Sequence, residues 1–318
     1  VPESPALLVI GECVADIVRR PGEPDRTHPG GSPANVAYGL ARLGRDTTLI
    51  TQLGPDANGR LIAGHLASAG VRVLTDGGAA PTPAATVDLD DEGRATYGFE
   101  ITWTLGPVRL PDPPPSHVHT GSLATGLEPG ADTVLELVRA LRATATVSYD
   151  PNVRPGLMGD HTTAVRRAER CVALSDVVKA SDEDLRRLYP RDAPEQAAER
   201  WLRSGPALVL VTRGARGASA FLPGTVVDLG APPVQVADTV GAGDAFMSGT
   251  LHALASHRLL GAQGRARLRS LDTPTLTDVL RHGVASAAVT VRRAGALPPG
   301  DEELANALTS APFPEPSG

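Results

Sequence analysis

Lysine is almost absent from this chain of 318 residues: Lys179 is the only one among 30 Lys and Arg. A Walker P-loop needs Lys directly before Ser or Thr, and Lys179 is followed by Ala180, so that route to nucleotide chemistry is closed. No HRD-type loop accompanies the lysine, which excludes the protein-kinase plan. Cysteine is nearly as scarce. Cys13 and Cys171 alone build neither a disulfide framework nor a zinc site. HExxH, CxxC and GxSxG are missing, and alternation along a strand explains His117 and His119 more simply than metal binding does. No run reaches the roughly 18 apolar residues of a membrane span. The opening VPESPALLVIGECV lacks the basic and long apolar regions of a secretory signal, so a soluble cytoplasmic protein is expected. Lys+Arg 30 against Asp+Glu 36 leaves a net charge of −6, which argues against nucleic acid as the main partner.

What remains is a globular composition, with 41% hydrophobic and 21% charged residues. Strand-like and helix-like segments alternate, the pattern of a doubly wound, mainly parallel α/β sheet with helices on both faces. Strands are expected at 6–14, 47–53, 116–120, 145–150, 176–179 and 207–211. Helices are expected at 33–43, 56–69, 130–143, 161–174, 182–188 and 194–203. Residues 14–30 and 82–104 break the rhythm with alternating patterns, Asp91-Glu92-Gly93 marking a hairpin turn. They read as antiparallel strands added to a single domain spanning 1–318, placed to cover a ligand crevice as a small lid. Tyr97, Phe99 and Trp103, three of ten aromatics (Phe 4, Tyr 4, Trp 2), fall in the second stretch, where an apolar lid face against a sugar ring or a partner subunit explains them, as does packing within the lid itself. The Pro-rich tail APFPEPSG is expected to fray.

Two glycine-rich segments carry the chemistry. In Asp238-Thr-Val-Gly-Ala-Gly-Asp244, the amides of Gly241, Ala242 and Gly243 lie unobstructed where a helix begins, an anion cradle suited to phosphate oxygens. Asp244 in the first turn fits two roles: a carboxylate stabilising the helix dipole, or a general base facing the anion site. In Gly30-Gly31-Ser32-Pro33-Ala34-Asn35, the glycines permit close backbone approach, and Asn35 offers donor and acceptor to a hydroxyl-rich molecule. Arg154, in DPNVRP (150–155) at a strand end, offers a fork of donors to a sugar oxygen or a moving phosphate, or is a surface arginine.

The chain resembles the ribokinase-like (PfkB-type) carbohydrate kinases from about Leu7 to Pro299, with GGSPANVAYGLARLG (30–44) and DTVGAGDAFMSG (238–249) matching the two family signatures. VVKASDEDL, VTRGARGA and VTVRRAGALP resemble further family segments. The resemblance implies a sugar kinase that uses ATP and Mg²⁺, with a K⁺ site and a lid that pairs two subunits. It implies Asp244 as catalytic base and Gly241–Gly243 as anion hole, with Arg154 assisting. Asp16, Gly30, Gly31, Asn35, Tyr97, Phe99 and Arg154 would surround the sugar, and Lys179, Ser181, Thr212, Gly214 and Gly217 the ATP. The magnesium motif, usually Asn-x-x-Glu, is here Ser181-Asp-Glu-Asp184, which assigns the metal's water shell to Asp184, alone or with Glu183; Asp238 and Gly295 would mark the K⁺ site. DPNVRP, GGSPANVA and ATYGFEITW look most like bacterial fructokinases. Kinases of 2-keto-3-deoxygluconate, ribose or nucleosides, and a non-catalytic sugar- or nucleotide-binding regulator, are the alternatives.

Overall fold

The computed structural model describes residues 6–90, 95–154, 156–310 and 313. The first half contains β1 (Leu7–Ile10), β2 (Val14–Arg19), β3 (Arg26–Gly30), α1 (Ser32–Arg42), β4 (Thr47–Ile50), α2 (Ala57–Ser68), β5 (Arg72–Leu74), β6 (Ala84–Leu89), β7 (Ala95–Glu100), β8 (His117–Gly121), α3 (Gly130–Leu141), β9 (Thr146–Asp150) and α4 (His161–Leu174). The second half contains β10 (Val177–Ser181), α5 (Asp182–Leu188), α6 (Pro194–Ser204), β11 (Leu208–Thr212), β12 (Ala218–Leu222), β13 (Thr225–Leu229), α7 (Ala242–Ser256), α8 (Gly261–Leu268), α9 (Thr273–Thr290) and α10 (Asp301–Ser310).

Among the described residues, nine strands form the main sheet in the order β13-β12-β11-β10-β9-β8-β1-β4-β5. It is parallel from β5 to β11, and β12 and β13 close one edge antiparallel. The parallel strands are apolar throughout because helices cover both faces. One face packs on α1, α2, α7 and α9 through residues such as Val36, Ile62, Leu251 and Leu280. The other packs on α3 to α6 through Val134, Val138, Val172, Leu185 and Trp201. His117 and His119 lie on β8 in register with Thr146 and Ser148 of β9. His117 bonds Thr146 Oγ1 and Ser148 Oγ, and His119 bonds Ser148 Oγ, each at 2.8 Å. Burial pushes both rings down to about 3, so they are neutral core residues.

A second sheet, β3-β2-β6-β7, is the lid. Three expectations need correction here. The strand expected at 6–14 ends at Ile10: Gly11 passes so close to Pro33 that a Cβ would collide with its ring, and the chain resumes at Val14 as a lid strand. The lid is not wholly antiparallel. β2 and β6 pair parallel, because each leaves the same end of the main sheet, one after β1 and the other after β5. Trp103 is not a lid residue. It is buried in the main core, its indole N–H donating to the Ala124 carbonyl at 3.1 Å. The turn at 91–93, Pro155 and most of the tail lie outside the described residues.

Candidate functional site

The parallel strands end along one rim, where side chains from different βα turns converge. There Gly241 caps the start of α7, and its φ of 75° is left-handed. A Cβ at Gly241 would come within 2.8 Å of Ala296 Cα, so glycine alone fits without displacing backbone. First-turn amides of a helix lack intrahelical acceptors, and here Gly241 and Gly243 line a cavity of about 380 Å³. Ala242 N–H makes only a long 3.3 Å bond back to Thr239 O. Asp244, one residue past the cradle, is fixed at both oxygens: Ser32 Oγ donates to Oδ1 at 2.6 Å and Asn35 Nδ2 to Oδ2 at 2.8 Å. These donors come from the start of α1, after Gly31 with φ 99°, where a Cβ would press within 2.5 Å of Glu12 O. The two glycine-rich segments, 212 residues apart at the Ser32–Asp244 bond, thus form one site.

The lid side of the cavity carries Asp16 and Phe99. Gly30 lacks the Cβ that would fall on the Asp16 carboxylate, so the first glycine of the motif is needed by Asp16 on the adjoining strand β2. Burial pushes Asp16 up to about 6, partly countered by His28 opposite it on β3. No hydrogen-bond donor reaches its carboxylate among the described residues, leaving it open to hydroxyl groups. Phe99 is half exposed at the cavity edge. Arg154 lines the wall, and no carboxylate pairs with it among the described residues. The Tyr97 side chain lies outside what is described.

Lys179 stands on the floor rather than in a separate nucleotide site. Its ammonium donates to Asp150 Oδ2 at 2.7 Å, both groups buried, and a Cβ on Gly243 would lie 2.9 Å from Nζ. Burial works against its charge, but Asp150, Asp184 and Asp244 outweigh it and hold the ammonium above its ordinary value. Burial likewise lifts Asp150 to about 6 against the pull of Lys179. Asp184 forms a capping box with Ser181 at the start of α5 and accepts the Val153 amide at 2.9 Å. Glu183 points to solvent with 71% of its side chain exposed, paired with Arg187, and is not brought to the site. No three ligating side chains cluster among the described residues. Asp184 is a buried carboxylate of the hard-oxygen kind that suits a Mg²⁺ keeping most of its waters. Asp238 and Gly295 do meet: Gly295 N–H donates to Asp238 Oδ2 at 2.9 Å, and this bond with that from Val240 holds the carboxyl below its usual range.

A second cavity, of about 620 Å³, lies between the 232–237 segment, the last turns of α9 and the end of α10, with Ala288, Val289 and Arg292 on its wall. Ala237, on its rim, is bonded to Val291 O and leads directly into Asp238. Thr212, Gly214 and Gly217 line neither cavity. Thr212 ends β11, and Gly217, φ 89°, packs against the Leu229 carbonyl. Glu12, Ser122 and Asn152 line the first cavity without having been singled out in the sequence. Each sits just beyond a strand end, which is the one signal that could have found them.

Residues 5–303 match the family described as pfkB family carbohydrate kinase. A fructokinase of Klebsiella pneumoniae is 37% identical over 260 residues, 79% of this chain and 85% of that protein. The crystal structure of a Vibrio cholerae O395 fructokinase with fructose, ADP and calcium superposes with TM-score 0.79 at 25% identity, covering 96% of this chain and all of the other. A Xylella fastidiosa fructokinase with bound ATP gives TM-score 0.83 at 28% identity, covering 96% and 98%.

Proposed function

Because the chain belongs to the pfkB family of carbohydrate kinases, we propose that it transfers the γ-phosphoryl group of ATP to a primary hydroxyl of a ketose, with fructose as the preferred acceptor. The observation that carries this reading is Asp244, fixed by Ser32 and Asn35 on one side of the cradle formed by the first amides of α7. The sugar lies between Asp16, Asn35 and Arg154. The triphosphate enters from the second cavity over Gly241–Gly243, and Ala237 to Val240 connect the two. Fructose is favoured because relatives named fructokinase match over most of their length.

In the transfer the acceptor oxygen forms a bond to the γ-phosphorus, the bond to the β,γ-bridging oxygen breaks, and ADP leaves. Asp244 takes the hydroxyl proton, and the 241–243 amides meet charge on the phosphoryl oxygens. Lys179, beneath Gly243, adds a buried positive charge under the same oxygens. Mg²⁺, when bound with the nucleotide, neutralises phosphate charge; Asp238 and the 295 loop suit a monovalent cation beside the cradle. The lid excludes water, which would otherwise compete as acceptor, and its open inner face suits a second copy of the chain. No described helix is long and apolar enough to cross a membrane, and the cytoplasm supplies the ATP.

ADP release from MgATP with K⁺ present, across fructose, tagatose, ribose, 2-keto-3-deoxygluconate and adenosine, tests the reading. A kcat/KM for fructose at least about tenfold above the others, roughly 1.4 kcal/mol of discrimination, is expected. Preference for another acceptor would keep the mechanism and discard fructose. Turnover with none would discard the kinase.

A further inference from the structure

Glu12 follows β1 and is buried to 1% exposure, yet it is ionisable and lines the acceptor cavity. Its Oε2 accepts the Ala124 amide at 2.9 Å, and its own amide, the Ser122 hydroxyl and the Leu123 amide also favour the ionised form. The same short turn is gripped from behind: Trp103 Nε1 donates to the Ala124 carbonyl at 3.1 Å. Ser122 and Leu123 form part of the cavity wall, and Ser122 is held at a φ of 53°, a conformation that non-glycine residues adopt only when their surroundings enforce it.

We propose that Glu12 is a positioning residue: with Trp103 it clamps the Ser122–Ala124 turn as the wall of the acceptor pocket, and protonation of Glu12 loosens that wall. Its role in sugar affinity rests on the kinase reading; the clamp does not. The amides that meet the carboxylate can only donate, so the ionised form satisfies them, whereas a carboxyl O–H would face N–H groups. Burial outweighs these bonds and lifts Glu12 to about 7, which places the change near neutrality. The other titratable or charged groups around it are Cys13 on its own segment, Asp16 on β2, and Arg154, Lys179 and Asp244 across the cavity.

Trp103 makes the clamp observable without substrate. Tryptophan emission of the free protein, followed from pH 5 to 9, should show one transition near 7 that is lost in Glu12→Gln, whose amide cannot titrate. Trp201, packed on Tyr189 in the opposite core cluster, gives a background common to both proteins. Ser122→Gly keeps the positive φ and removes one donor to the carboxylate, so the transition should move to higher pH; this variant serves if Glu12→Gln fails to fold. In the wild type the acceptor KM should rise at least threefold from pH 8 to pH 6, with kcat changing less, and Glu12→Gln should remove most of that rise, leaving only the part that Asp16, itself lifted to about 6, contributes. A transition that is absent, that survives Glu12→Gln, or that stays put in Ser122→Gly overturns the proposal. A transition that behaves as expected in a protein that phosphorylates no sugar keeps the clamp and overturns the kinase reading instead.

Discussion

Asp244 is held so that neither oxygen is free to drift: Ser32 and Asn35 each occupy one, at 2.6 and 2.8 Å. A carboxylate there only to stabilise the α7 dipole would not need two side-chain donors from the start of α1. Asp244→Asn keeps the size and one acceptor oxygen but cannot take a proton. Steady-state kinetics should show kcat lower by roughly 10²–10⁴-fold, the usual scale for loss of a general base, with acceptor KM within a few-fold of wild type. Near-normal turnover would return Asp244 to the helix-dipole role. Asp244, Gly241 and Asn35 were legible in the sequence because glycine next to carboxylate at a helix start is a local pattern. Glu12 was not. It stands among apolar residues, and the amide it accepts lies 112 positions away. A buried acid whose partners come from another turn leaves no mark on its own neighbourhood.

Between β9 and β10 the pairing carries a charge as well as a ladder. Asp150 and Lys179 meet at 2.7 Å with both side chains at or below 5% exposure. Removing one partner strands the other in a medium that cannot solvate it, a loss of about 3–5 kcal/mol. Lys179→Met should show this in urea unfolding at pH 8. The pH dependence then has a definite sign. Asp150 is already lifted to about 6 by burial, and without the lysine it rises further. A carboxyl whose folded value lies above its unfolded one binds more protons when folded, so stability falls as pH rises through that window and is regained on acidification. The variant's deficit should therefore shrink at pH 5.5; an equal deficit at both pH values would mean that the lost packing of the lysine stem, not the unpaired acid, is the cause. Elements of this kind were read well where period and caps agreed: α4 and α5 lie at the expected residues, with Asp160 and Ser181 capping them. β12 and β13 were not expected, because a short antiparallel edge looks, in sequence, like the loop after a parallel sheet.

The division of labour between the two sheets follows from how the chain leaves the larger one. β2 and β6 depart from the same rim in the same direction, so they pair parallel although residues far apart in sequence form them, a relation that no local pattern encodes. One lid face rests on α2; the other, with Asp16, Val18, Val87 and Phe99, looks over the cavity and beyond it. The second cavity escaped the sequence reading for a related reason: Ala, Val and Pro from the 232–237 segment and α9 carry no chemical signature until the fold sets them opposite each other. The open lid face has a consequence for assembly. Phe99, 52% exposed, stands opposite Ala85, and Val87, paired with Val18, lies diagonal to it on the same face, an apolar strip that a second lid would cover. Val87→Asp charges that strip while leaving the cavity wall intact, since Val87 is not part of the wall. Sedimentation velocity should find a dimer in the wild type and a monomer in the variant. The variant's acceptor KM should rise several-fold, as a lid without its counterpart closes less often over the sugar, while unfolding in urea changes little. A wild-type monomer, or a monomeric variant with unchanged KM, would mean that each lid closes its own site unaided.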